Sequence, residues 1–141
     1  MTTVSNEERA VFAELADVLI PAAEGMPAAS DVDVQGAMLD HILGLRPDLA
    51  EAFRRGLSAA AGKPPADAAE ALNRDDAEAL GAIGIVASAG YYMTPAVREV
   101  IGYPGQENRP ADPDETPEYV ANGMLQQVID RGPIFVPTPE A

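Results

Sequence analysis

The stretch "DAEALGAIGIVASAGYYM", Asp76–Met93, decides how the chain reads. Its apolar residues never alternate with polar ones over a strand's length, and Asp75 with Glu78 offers a capping pattern at its start. The spacing predicts the longest apolar helix of the chain. Leu80, Ile83, Ile85, Val86 and Ala87 surround Gly81 and Gly84, two glycines that would let a neighbouring helix approach closely. Such a helix belongs at the centre of an all-α domain.

Upstream, Ser5 and Glu8 form a capping box, and Val11, Phe12, Leu15, Val18 and Leu19 recur at helical spacing as far as Ile20. Pro21 ends that helix, and "PAAEGMPAAS" supplies an irregular loop. A second helix is expected from Asp31 or Asp33, turning Val34, Met38, Leu39, Ile42 and Leu45 inward until Pro47. Pro47 suits the first position of a third helix that buries Leu49, Phe53 and Leu57 and stops at Gly62. After Pro64 and Pro65 comes the short helix "ADAAEALN".

Downstream, Thr94 can cap a short helix whose first residue is Pro95 and whose C-terminal glycine is Gly102. Tyr103 then sits in a turn where Pro104 and Gly105 suit the central positions of type II geometry. Residues 106–116 are an acidic, proline-rich excursion without apolar period. A last helix opens at Thr116–Glu118, carries Tyr119, Val120, Met124, Leu125, Val128 and Ile129, and ends at Gly132. The tail 132–141, "GPIFVPTPEA", is an apolar strap whose prolines bar a central strand. The expectation is one compact all-α domain over 1–141, of about six helices with long Pro-rich loops and an extended C-terminal strap.

Composition narrows the partners. Nine Lys plus Arg against 23 Asp plus Glu give a net charge of -14, which repels nucleic acid and anionic bilayers. No cysteine means no disulfide, thiolate nucleophile or cysteine-ligated metal. No run approaches a membrane-spanning length and no export leader is recognisable, so direct membrane insertion is not expected and a cytoplasmic location is, or a periplasmic one if a leader has been removed.

Chemistry-bearing residues are few. His41, the single histidine, lies beside Asp40 and near Asp33, as an acid–base pair would require. A lone histidine flanked by Met38 and Ile42 is more often a boundary residue of an amphipathic helix with a satisfied nitrogen. "ADPDET" lacks the spacing of a calcium loop. Arg54 and Arg55 could clamp an anion or form solvated ion pairs. What stands out is apolar and aromatic residue content in loops, which suits a partner chain.

Two segments carry a resemblance: "LADVLIPAAEGMPAASDVDV", Leu15–Val34, and "GYYMTPAVREVIGYPG", Gly90–Gly105. Leu15, Ala16, Asp17, Leu19, Ile20, Pro21, Ala29, Ser30 and Val34 fit the first pattern. Tyr91, Tyr92, Pro95, Gly102, Tyr103, Pro104 and Gly105 fit the second. Together they resemble the gluconate 2-dehydrogenase subunit 3 family over about a quarter of the chain. Members are small, cofactor-free helical subunits partnered with a large FAD subunit of the glucose-methanol-choline oxidoreductase type, often with a cytochrome c. They typically carry a twin-arginine leader, which this sequence does not show.

The resemblance implies a non-catalytic subunit that stabilises or assists folding of a large FAD-dependent sugar or alcohol dehydrogenase. It implies FAD in the partner and no cofactor in this chain. Partner contact is expected at Pro21, Met26 and Pro27, at Tyr91, Tyr92, Tyr103, Pro104 and Gly105, and at Ile134 and Phe135 of the strap. The alternative is a small stand-alone helical enzyme or ligand-binding protein that uses His41 with Asp40.

Overall fold

The computed structural model describes residues 4–107 and 117–135. Eight α-helices and no strand occur among them, so the fold is all-α. The helices are α1 (Asn6–Leu19), α2 (Ala37–Leu45), α3 (Ala50–Ala60), α4 (Pro65–Asp75), α5 (Ala77–Met93), α6 (Pro95–Val100), α7 (Glu118–Ala121) and α8 (Gln126–Arg131). The chain divides into two units, Met1–Gly105 and Gln106–Ala141, which are described separately.

In the first unit α5 takes the central place expected of it, touching α1, α2, α3, α4 and α6. Its inward face is made of Ala79, Ala82, Ile83, Val86, Ala87 and Tyr91, all buried. Phe12 from α1 and Phe53 from α3 meet edge to face, with ring centroids 5.2 Å apart, and bury completely. With so few aromatic residues, small side chains do the rest, and helices must pack closely to exclude water.

The glycines that permit close packing are not the expected ones. A Cβ on Gly81 or Gly84 would meet nothing within 4 Å. Gly56 on α3 faces α5 instead: a Cβ there would lie 2.8 Å from Ile83 Cδ1 and 3.2 Å from Ala79 Cβ. Gly90 likewise lets Met38 Cγ come to 3.3 Å of its missing Cβ. Ile85, on the same side of α5 as Gly81, is 45% exposed.

Local chemistry explains the helix ends. The Ser5–Glu8 capping box is formed in both directions, at 3.1 and 2.8 Å. Asp76, one residue later than expected, caps α5 by accepting from the amide of Ala79, because Asp75 is still the last residue of α4. The second helix starts well after Asp31 and Asp33. Asp31 accepts from the amide of Ala28, a 3-10 turn spans Ser30–Val32, and Asp33 adopts a left-handed φ of 56°. The Asp33 carboxylate fills the space where a Cβ of residue 36 would stand, so Gly36 precedes α2 instead. Arg9 secures this junction, donating to the carbonyls of Gln35 and Gly36 and to both oxygens of Asp40.

Three apolar residues expected inside lie outside. Val18 and Leu19 sit on the last turn of α1, past the core reached by Phe12, Leu15 and Ala16, and Leu45 ends α2 in solvent. Pro47–Leu49 forms a 3-10 turn before α3, which ends ahead of Gly62.

In the second unit the single expected helix is two. Gly123, at φ 80°, breaks the run between α7 and α8, and the Asn122 side chain accepts from the amide of Met124. None of this unit's described residues is buried. Most of the acidic excursion 106–116 and the tail beyond residue 135 fall outside the described residues.

Candidate docking surface

The two segments that carry the family resemblance are tied together in space. At the end of α1 the Asp17 carboxylate accepts from the Ser30 amide at 2.8 Å and from the Ser30 hydroxyl at 2.7 Å. The Ala29 amide donates to the carbonyl of Ile20, closing the loop between them. Inside that loop Ala23 and Met26 exchange backbone hydrogen bonds across Glu24 and Gly25, at φ 49° and 87°. Two positive φ values in a two-residue connection make the mirror-image turn of a tight hairpin, and Gly25 is well chosen for it.

From the other segment, Tyr91 reaches this loop. Its ring is buried and its hydroxyl donates to the carbonyl of Pro27 at 2.7 Å. Burial, with smaller contributions from Tyr92 and Asp31, raises the Tyr91 phenol above its usual pKa. Tyr92 points outward, 56% exposed, with its ring edge to face against Tyr91 at 5.3 Å.

The helix end that follows presents Tyr103. The amide of Gly102 donates to the carbonyl of Glu99 and that of Tyr103 to the carbonyl of Arg98, with Gly102 at φ 67°. This pair of bonds is a Schellman motif. Its side-chain contact is a cation–π pair, Arg98 over the Tyr103 ring at 5.2 Å. Gly105, at φ 100°, has the sign that the second central position of a type II turn requires, and a Cβ there would lie 2.6 Å from Arg98. Thr94 stands at the N-cap position of α6, yet its hydroxyl donates back to Gly90, so the cap itself is not formed.

The expected contact residues therefore divide. Tyr92, Tyr103 and Pro104 are exposed, as is Pro21, whereas Met26, Pro27 and Gly105 are half-buried. Tyr91 is a core residue and offers no surface, because its hydroxyl is consumed by Pro27. Ile134 and Phe135 are exposed in the second unit. The sequence reading names Tyr92 but not Ile85, which also stands exposed on the outer side of α5. The low contrast between the sides of that helix was the available signal.

The acid–base alternative does not assemble. His41 is exposed, and both oxygens of Asp40 are bound by Arg9. Arg55 forks onto Asp76 and Glu78, and Arg54 lies 3.6 Å from Glu8, so both arginines serve ion pairs. A shallow apolar cleft between α1 and α3 is lined by Glu7, Val11, Arg54, Leu57 and Ser58, without His41. Among the described residues no cluster of three or more His, Asp or Glu could hold a metal ion, and no helix is long and apolar enough to cross a membrane.

In comparisons with protein-family models, curated proteins and solved structures, the chain matches none.

Proposed function

We propose that this chain is a non-catalytic small subunit that stabilises, or assists the folding of, a large FAD-dependent sugar or alcohol dehydrogenase of the glucose-methanol-choline type. Its support is the resemblance of Leu15–Val34 and Gly90–Gly105 to the gluconate 2-dehydrogenase subunit 3 family. One observation carries it further. The fold clamps those two segments to each other through Tyr91 and Pro27 while leaving Tyr92 and Tyr103 of the same segment on the surface, each held by a ring contact. Rigid, exposed aromatic side chains on an otherwise acidic body are what a protein interface uses as anchors.

On this reading FAD and the reacting groups belong to the large subunit, and this chain contributes contact area. The test is co-expression with a large FAD-dependent dehydrogenase subunit of the glucose-methanol-choline type. A stable complex, with higher yield and flavin content of the large subunit than when it is expressed alone, supports the proposal. Equal yield and no complex would end it.

A further inference from the structure

The turn between α7 and α8 carries a reactive dipeptide. Asn122 is followed by Gly123, and both residues are exposed. The backbone nitrogen of the residue after an asparagine can attack the side-chain carbonyl and close a five-membered ring, and a side chain on that next residue hinders the approach. Glycine has none. Gly123 stands at φ 80°, and a Cβ there would meet nothing within 4 Å, so no packed neighbour opposes the rotation of Asn122 from its ψ of 1° that ring closure needs. The flanking helices have four and six residues, too short to hold the turn by themselves, and local opening costs little.

Two hydrogen bonds bear on the chemistry. The Gly123 amide reaches the carbonyl of Val120 only at 3.4 Å, so the attacking nitrogen gives up a weak partner. Asn122 Oδ1 accepts from the Met124 amide at 3.0 Å, and this donor stands where negative charge gathers as the side-chain carbonyl is attacked. The other asparagines among the described residues lack the combination. Asn6 precedes Glu7 at the start of α1, and Asn73 precedes Arg74 within α4. In both, the next residue carries a side chain and is held in helical geometry.

We propose that Asn122–Gly123 is a site of spontaneous covalent modification, at which the folded chain converts asparagine to aspartate and isoaspartate. A base takes the proton of the Gly123 amide, and the nitrogen forms a bond to Asn122 Cγ. The bond from Cγ to the side-chain nitrogen then breaks, and that nitrogen leaves as ammonia after taking up a proton. Water opens the resulting five-membered imide at one of its two carbonyls, and nothing is oxidised or reduced. Opening at one carbonyl leaves aspartate, and opening at the other leaves isoaspartate. Either product adds a carboxylate to a chain that already carries -14. Isoaspartate also inserts a methylene into the main chain between α7 and α8. The exposed Tyr119 and Val120 of α7 would then stand differently to Val128 and Ile129 of α8.

The test uses the full chain, incubated folded and in urea, in mildly acid and in mildly alkaline buffer. Fragmentation mass spectrometry of its peptides locates the change, and an isoaspartyl methyltransferase with labelled S-adenosylmethionine counts isoaspartate. The folded chain should lose ammonia and then gain water at position 122, faster in the alkaline buffer because the amide must give up a proton, and at a rate comparable with that in urea. Asn73 should stay intact over the same period. Asn122→Gln, whose longer side chain closes a six-membered ring less readily, should lose the product. Modification in urea with Asn122 intact in the folded chain would show that the turn protects the residue, which overturns the proposal. Equal modification of Asn73, or isoaspartate that persists undiminished in Asn122→Gln, would overturn it as well.

Discussion

The hydroxyl of Tyr91, near the end of α5, donates at 2.7 Å to the carbonyl of Pro27, 64 residues earlier in the chain. Proline has no amide hydrogen, so this loop has fewer backbone donors with which to satisfy its own carbonyls. The phenol supplies a donor from outside the loop. Tyr91→Phe keeps the ring in the core but leaves a carbonyl short of its partner. It should destabilise the chain by about 1–3 kcal/mol, measured by urea denaturation, with little change in helix content.

The same bond sets an alkaline limit. Burial raises the folded-state pKa of Tyr91 above the unfolded value of 10.0. A group raised on folding contributes stability that is fully present below its unfolded pKa and is lost as pH climbs through the folded one. Wild type should therefore lose stability from about pH 10 upward as the donor is removed and a buried charge forms. Tyr91→Phe, lacking the ionising group, should show a shallower fall of Tm over that window. Parallel curves for the two proteins would remove Tyr91 from the alkaline transition.

The reach from Tyr91 to Pro27 also shows which features are legible in a sequence. The Ser5–Glu8 box and the Gly102 terminus depend on residues three or four apart, and both are where the pattern places them. The start of α2 is harder, because Asp31 and Asp33 each have capping chemistry but one serves Ala28 and the other stands against Gly36. For α5, apolar on every side, the periodicity names a central helix without naming its inner face. Adjacent tyrosines must diverge by about 100°, and it is Tyr91 that turns in with the buried face of α5 and meets the distant Pro27 carbonyl, while Tyr92 turns out. Gly56 was discoverable, since Ala52, Phe53, Gly56, Leu57 and Ala60 mark one buried stripe of a strongly amphipathic helix.

That stripe gives a test of packing. A methyl group on Gly56 would lie 2.8 Å from Ile83 Cδ1 and 3.2 Å from Ala79 Cβ. The Ile83 methyl can rotate away, but the Ala79 Cβ moves only with the backbone of α5. Gly56→Ala gains helix propensity and still should lose about 1–3 kcal/mol of stability through overpacking, measured by thermal and urea unfolding. A neutral or stabilising result would mean that α3 and α5 sit farther apart than the structure places them.

The last prediction concerns the loop that Tyr91 clamps. Asp17 takes two hydrogen bonds from one residue, the amide and the hydroxyl of Ser30, at 2.8 and 2.7 Å. Ser30→Ala removes the hydroxyl bond and keeps the amide bond, whereas Asp17→Ala removes both and leaves the half-buried Ser30 amide without its acceptor. Hydrogen bonds to a carboxylate contribute about 1.5–3 kcal/mol, so Asp17→Ala should be the more damaging of the two. The double variant should be less destabilised than the sum of the singles, with a coupling of roughly 1 kcal/mol in a double-mutant cycle. Because this loop lies on the same clamp as Tyr91, loosening it should also raise proteolytic cleavage between Pro21 and Ser30 while leaving α3 and α4 protected. Strict additivity, or unchanged cleavage in Asp17→Ala, would show that the Asp17–Ser30 pair does not hold the loop.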